Sequence, residues 1–211
     1  MFFEIDQLIN SFDLGDPERN KGIVKKLQKH GESITPYLYE KAIKAEDRFL
    51  TIQLLQAINV CTDYILKLKM LKAAERETDD FILATYLSLF RRLKLGDALP
   101  LVRKCMQTSD DARVKSNAFE FLAEFGEEED LKYLRKFQDY PHNRVVVNAL
   151  LAIALIGERI RDGAVQKLKF LQNCDDKSLS NSAQYAMQRL NATADMKYFG
   201  LNLSEILIHN Y

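Results

Sequence analysis

Residues 111–126 read DARVKSNAFEFLAEFG, and the spacing inside this stretch decides the fold. Asp111 is followed by Val114, Ala118 and Leu122, with Gly126 closing the run. A carboxylate ahead of an i, i+4, i+8 stripe is the pattern of a capped amphipathic helix. The Asp accepts from backbone N–H groups that the first turn leaves free, and the stripe lines one face. Phe121 and Phe125 widen that face. The pattern recurs toward the C-terminus at His142, Val145, Ala149, Ile153 and Gly157, then at Asp176, Leu179, Ala183, Met187 and Asn191. Toward the N-terminus it reads Asp79, Ile82, Tyr86, Phe90, Lys94, then Asp47, Leu50, Leu54, Ile58, Thr62, and more faintly Asp16, Ile23, Leu27, Gly31. The six starts lie 31, 32, 32, 31 and 34 residues apart. A steady period of this length marks a repeat architecture.

Between these stripes runs a second apolar series: Ile65-Leu68-Leu71, Leu99-Val102-Cys105, Leu131-Leu134-Phe137 and Val165-Leu168-Leu171. Each unit is therefore predicted to be a helical hairpin, and neither helix can bury its stripe without a neighbouring hairpin. The expected fold is all-α, a right-handed α-α superhelix of about five to six hairpins. It forms a single repeat domain over 1–211, with a cap helix at 1–13, repeats over 16–191 and an apolar tail at 192–211. Gly31, Gly126, Gly157 and Asn191 are expected to end helices in the left-handed conformation. Only 8 Gly and 4 Pro in 211 residues agrees with long helices and short connections.

The unit D-x-x-V-x-x-x-A-x-x-x-L-x-x-x-G resembles a HEAT repeat, particularly the short form also seen in phycobilisome-lyase-type proteins. Residues 111–126, 142–157 and 176–191 carry the resemblance best, and it covers most of 16–191. It implies an ARM-like superhelix whose Asp-led helices line a concave surface, and a non-enzymatic scaffold that binds a protein or peptide there. HEAT repeats often place Arg or Lys just after the Val. Only Lys115 obeys, while Thr51, Leu83, Val146 and Ser180 depart, so a regular Asp–Arg ladder is not expected. Deoxyhypusine hydroxylases of this repeat class imply His-Glu dipeptides, which are absent. Repair glycosylases of the class imply a basic groove with Trp platforms, and this chain has no Trp. A chromophore-lyase-like role rests on the scaffold resemblance alone and is a minor alternative.

Thirty Lys+Arg balance thirty Asp+Glu, which argues against a polyanion as the dominant partner. No phosphate-binding Gly loop, GxSxG, HExxH or EF-hand pattern occurs, so no catalytic residue, cofactor or metal is expected. Glu127-Glu128-Glu129-Asp130 reads as a helix opening, and His142 as a turn residue. Cys61, Cys105 and Cys174 form no CxxC pair and read as unpaired thiols. With an acidic start, MFFEID, and no apolar run long enough to span a bilayer, the expected location is cytoplasmic, away from membranes.

Helical geometry places positions two, five, nine, twelve and thirteen after each Asp opposite the apolar stripe. In most copies these are polar, but the 142–157 copy carries Val147, Leu151 and Leu155 there, beside Tyr185. A helix apolar all round must be covered. The chain's own tail, 196–208, is one expected cover; a partner segment, or a second copy associating through Val147, Leu151 and Leu155, is the other. Arg113, Glu120, Arg144, Val147, Leu151, Leu155, Tyr185 and Arg189 are the partner-binding candidates, the arginines supplying directional bonds and the apolar group contact area. Arg91, Arg92, Arg103 and Lys104 carry the alternative of nucleic-acid binding. Gln53, Thr85, Asn117, Asn148 and Ser182 share one register and are expected to form a hydrogen-bond ladder between repeats.

Overall fold

The computed structural model describes residues 2–157 and 161–198. Among them there is no strand, and twelve α-helices follow one another: α1 (Phe2–Ile9), α2 (Pro17–Gln28), α3 (Thr35–Lys44), α4 (Arg48–Ala57), α5 (Tyr64–Ala74), α6 (Asp80–Arg92), α7 (Leu99–Thr108), α8 (Ala112–Phe125), α9 (Leu131–Leu134), α10 (Asn143–Ile156), α11 (Arg161–Leu171) and α12 (Lys177–Tyr198). The chain divides into two compact units, Met1–Ala118 and Phe119–Tyr211.

The even-numbered helices from α2 onward are the Asp-led elements. Asp16, Asp47 and Asp79 accept from the backbone N–H groups of Arg19, of Phe49 and Leu50, and of Phe81 and Ile82. Asp111 accepts from Arg113 and Val114, and Asp176 from Ser178 and Leu179. Each such cap is worth about 1 kcal/mol. His142 holds the cap position of α10 without a side-chain bond.

In the first unit α2 packs on α4 and α4 on α6, while α3 lies against α4 and α5 against α6. Leu27, Leu54, Leu87, Phe90, Met70 and Val102 are fully buried there. In the second unit α10 packs on α12, α9 and α11 lie against α10, and α11 also meets α12. Each unit is thus built from stacked helical pairs, the arrangement of an α-α solenoid.

Three expectations need correction. Ile65 is 61% exposed, and α5 instead buries Leu66, Met70, Leu71 and Ala74. An i, i+4, i+8 stripe follows the helical turn, which an i, i+3, i+6 series drifts away from. Gly31 does take a positive φ of 60°, but Gly126 and Gly157 do not. Gly157 is extended, and Gly126 is required by a close approach: a Cβ there would lie 2.5 Å from the Leu122 carbonyl oxygen and 2.6 Å from Ile156 Cδ1. Asn191 ends nothing, because α12 continues to Tyr198. The rest of the tail over 196–208, and its possible cover of α10, lies outside the described residues.

A second left-handed residue is Lys94, at φ 53°. Leu95 N–H donates to the Phe90 carbonyl and Lys94 N–H to that of Arg91, the paired bonds of a Schellman turn. Leu95 and Phe90, both buried, supply its apolar contact.

Candidate functional site

At the N-terminal ends of α4, α6 and α8 the first unit carries a cross-repeat ladder. Arg48, the residue after one cap, donates to the next cap, Asp79, at 3.2 Å. Its guanidinium lies over the Phe81 ring at 4.6 Å, and Arg113 covers the same ring at 3.3 Å while pairing with Asp111 at 2.7 Å. In the second unit Asn143, again the residue after a cap, donates to Asp176 at 2.8 Å. Two cross-repeat bonds to a cap are therefore present, and both run from the residue after the preceding cap and not from the one after the Val. Lys115, the single residue in the HEAT-like position, is buried and donates to the Ser109 carbonyl.

These bonds hold the cap carboxylates in their charged form. For Asp111 the Arg113 guanidinium is the main cause of a lowered pKa, with burial opposing it. Burial pushes Asp79 upward, but the Ile82 N–H and Arg48 outweigh it. Asp176 is lowered by the Leu179 N–H and then by Asn143.

At the opposite ends of α2, α4 and α6 the last carbonyls are satisfied from neighbouring repeats. Arg92 reaches back to α4 and donates to the carbonyls of Gln56 at 2.8 Å and Leu55 at 3.2 Å. Gln28 also donates to the Gln56 carbonyl, and Asn59 donates to that of Gln28. Burial, and then the charge of Arg91, lower the Arg92 pKa to about 10, so it stays charged at neutral pH. Arg92 is accordingly a helix-end clamp, which removes it from the cluster that carries the nucleic-acid alternative.

The partner-binding candidates separate in the same way. Val147 and Leu151 are 2% and 1% exposed, so they belong to the interior and offer no docking surface; Leu155 is half-buried. Among the described residues α9, α11 and α12 pack against α10. Glu120 receives Asn148 at 3.1 Å and lies 3.8 Å from Arg144, and Arg189 of α12 donates to Glu124 of α8 at 3.2 Å. Arg189 and Glu124 keep under a fifth of their side-chain surface, so this pair is internal structure. Arg144 and Tyr185 remain open, at 56% and 57%. In the polar register, Asn117 reaches the Ala84 carbonyl and Asn148 reaches Glu120, both on a neighbouring helix. The shorter hydroxyls of Thr85 and Ser182 bond back to Phe81 and Ser178 within their own helices. Only the amide arm is long enough to cross.

A cleft of about 410 Å³ opens between α2 and α4. Its apolar lining is Leu14, Pro17, Val24 and Phe49; Lys21, Lys25, Gln53 and Gln56 supply polar groups. Leu14 is 76% exposed. Of these residues the sequence singles out Gln53, for the polar register, but not the cleft itself. The signal available there was the run of Arg19, Lys21, Lys25, Lys26 and Lys29 in a chain of zero net charge. Among the described residues no three His, Cys, Asp or Glu side chains gather in metal-binding fashion, and no helix is long and apolar enough to cross a membrane.

Comparison with known proteins agrees with the repeat geometry. Residues 68–154 match the family model for HEAT repeats. Over that segment, from α5 through most of α10, the chain resembles HEAT repeats. A crystal structure described as an engineered protein is similar at a TM-score of 0.47 and 18% identity, over 90% of this chain and 97% of that one. No curated protein matches.

Proposed function

We propose that this HEAT-like protein is a non-enzymatic scaffold that binds a protein or peptide on the solvent-facing side of its Asp-capped helices, the side that the resemblance assigns to the concave surface. One observation carries the reading. Along those helices the caps, stripes and cross-repeat bonds are satisfied within the protein, while the face of α2 and α4 stays open around a cleft. Stacking fixes the side chains that each neighbour needs, so the remaining ones are available for recognition. In the second unit, taken separately, Arg144 and Tyr185 are the candidates that stay accessible. The three free thiols, two of them buried, support a reducing cytoplasmic setting.

Chemical crosslinking of the tagged chain in a lysate of its source cell, followed by quantitative mass spectrometry, tests the proposal. Heparin chromatography across a salt gradient runs beside it. A salt-tolerant, near-stoichiometric protein adduct is the expected result. Retention on heparin that falls steeply with salt, with no protein adduct, overturns the scaffold reading in favour of nucleic acid.

A further inference from the structure

We infer that the α2–α4 cleft is a recognition site for an acidic peptide segment, with an apolar side chain seated on Leu14, Val24 and Phe49 and flanking carboxylates at Lys21 and Lys25. The inference deepens the scaffold reading and rests on it.

Charge is the first argument. The chain as a whole is neutral, yet residues 17–29 hold five cations, Arg19, Lys21, Lys25, Lys26 and Lys29, against one carboxylate, Glu18. Among the described residues only Lys21 of the five has an ion pair, with Glu18 at 2.6 Å and on the surface. Concentrated positive charge that the fold does not neutralise attracts an anionic partner and speeds its encounter.

The shape and chemistry of the cleft select the kind of anion. Its floor is mostly aliphatic, with Phe49 as the single aromatic ring, and only two cations border it. A nucleic-acid strand needs a track of cations with several stacking platforms. A peptide needs a pocket for one anchor side chain and groups that bond its main chain. The carboxamides of Gln53 and Gln56 can supply both a donor and an acceptor, and among the described residues neither side chain has a hydrogen bond within the protein. Leu14 and Val24 complete a seat for a Leu- or Phe-sized anchor.

The test uses the full chain and short fluorescein-labelled peptides with a central Leu or Phe. One set is flanked by Asp and Glu, one by Asn and Gln, and one by Lys; a labelled single-stranded oligonucleotide is included. Fluorescence anisotropy is expected to rank the acidic set tightest, and backbone amide shifts on binding are expected at Val24, Lys25, Gln53 and Gln56. The double variant Lys21→Gln/Lys25→Gln should weaken the acidic set by about tenfold. Lys26→Gln/Lys29→Gln, at the C-terminal end of α2 and outside the cleft, should change it by less than about twofold. Both doubles replace exposed side chains and should melt with the wild type. Equal affinity for acidic and neutral peptides, preference for the oligonucleotide, or shifts that map elsewhere overturn the inference. If the two doubles capture the same crosslinked protein as the wild type while no peptide preference appears, the cleft is excluded and the scaffold stands. If the wild type captures neither peptide nor protein, both readings go.

Discussion

Gly126→Ala and Gly22→Ala make the same chemical change, one just past the end of α8 and one inside α2, and are expected to move stability in opposite directions. Gly22 lies inside α2, and a Cβ built there has nothing within 4 Å. Adding the methyl restricts the unfolded chain and favours the helix, a gain of about 0.5–1 kcal/mol. At Gly126 the same methyl would lie 2.5 Å from the Leu122 carbonyl oxygen and 2.6 Å from Ile156 Cδ1. The carbonyl belongs to backbone that already accepts the Gly126 N–H at 2.8 Å, so it has little room to retreat. Overpacking of this kind costs about 1–3 kcal/mol, of which the unfolded-chain effect returns only part, leaving a net loss of about 1–2 kcal/mol. Urea unfolding followed by far-ultraviolet circular dichroism should therefore separate the two variants by about 1.5–3 kcal/mol. Trimming Ile156 to Val in the Gly126→Ala background removes one of the two clashes and should recover part of the loss. A coupling of at least about 0.5 kcal/mol in that cycle is expected for residues in contact. If Gly126→Ala stabilises as Gly22→Ala does, Ile156 does not approach that backbone, and the packing assigned to the ends of α8 and α10 is wrong.

Three further outcomes are expected. Arg92→Leu leaves the Leu55 and Gln56 carbonyls without their charge-assisted donors and should cost about 2 kcal/mol by the same urea assay. A loss no greater than that of an exposed Arg substitution counts against the clamp. Lys94→Gly relieves a left-handed lysine and should stabilise by up to about 1 kcal/mol, read as a higher Tm. A lower Tm refutes that placement. The cap carboxylates Asp79, Asp111 and Asp176 have folded pKa values below the ordinary 3.8. Their contribution is therefore fully present above that value and is lost as pH falls through it toward the folded values. The triple Asp→Asn variant keeps the caps but should flatten the fall of stability below about pH 4; an unchanged slope means that these three groups do not drive it.

The division between what the sequence discloses and what it hides follows the range of the interactions. Asp16, Asp47, Asp79, Asp111 and Asp176 were legible because a cap bonds N–H groups two or three residues ahead, inside any reading window. The stripes were legible for a similar reason, since a period of 3.6 is a property of one helix. Gly126 was read as a left-handed stop because local rules assign terminal glycines that role. Its actual constraint comes from the Leu122 carbonyl and from Ile156, one repeat later, and no local rule contains the second distance. Lys94 shows the converse: a residue with no special turn preference adopts the strained conformation because Leu95 and Phe90 are both held in the core.

The same argument explains why the candidate surface moved. Arg92, Arg144 and Arg189 all sit opposite an apolar stripe, so a single-helix projection makes them equivalent. Their partners are 36 or 37 residues away for Arg92 and 65 for Arg189, which a projection cannot see. In a stack, a side chain opposite the stripe is free only if the neighbouring helix end does not need it, and both helix ends and carboxylates create that need. α2 and the residue after it differ because their cations outnumber their one carboxylate and, among the described residues, only Lys21 has an ion pair. The surplus charge on one helix is thus a more durable guide to recognition than the helical wheel, since it survives whatever the neighbouring repeats take for themselves.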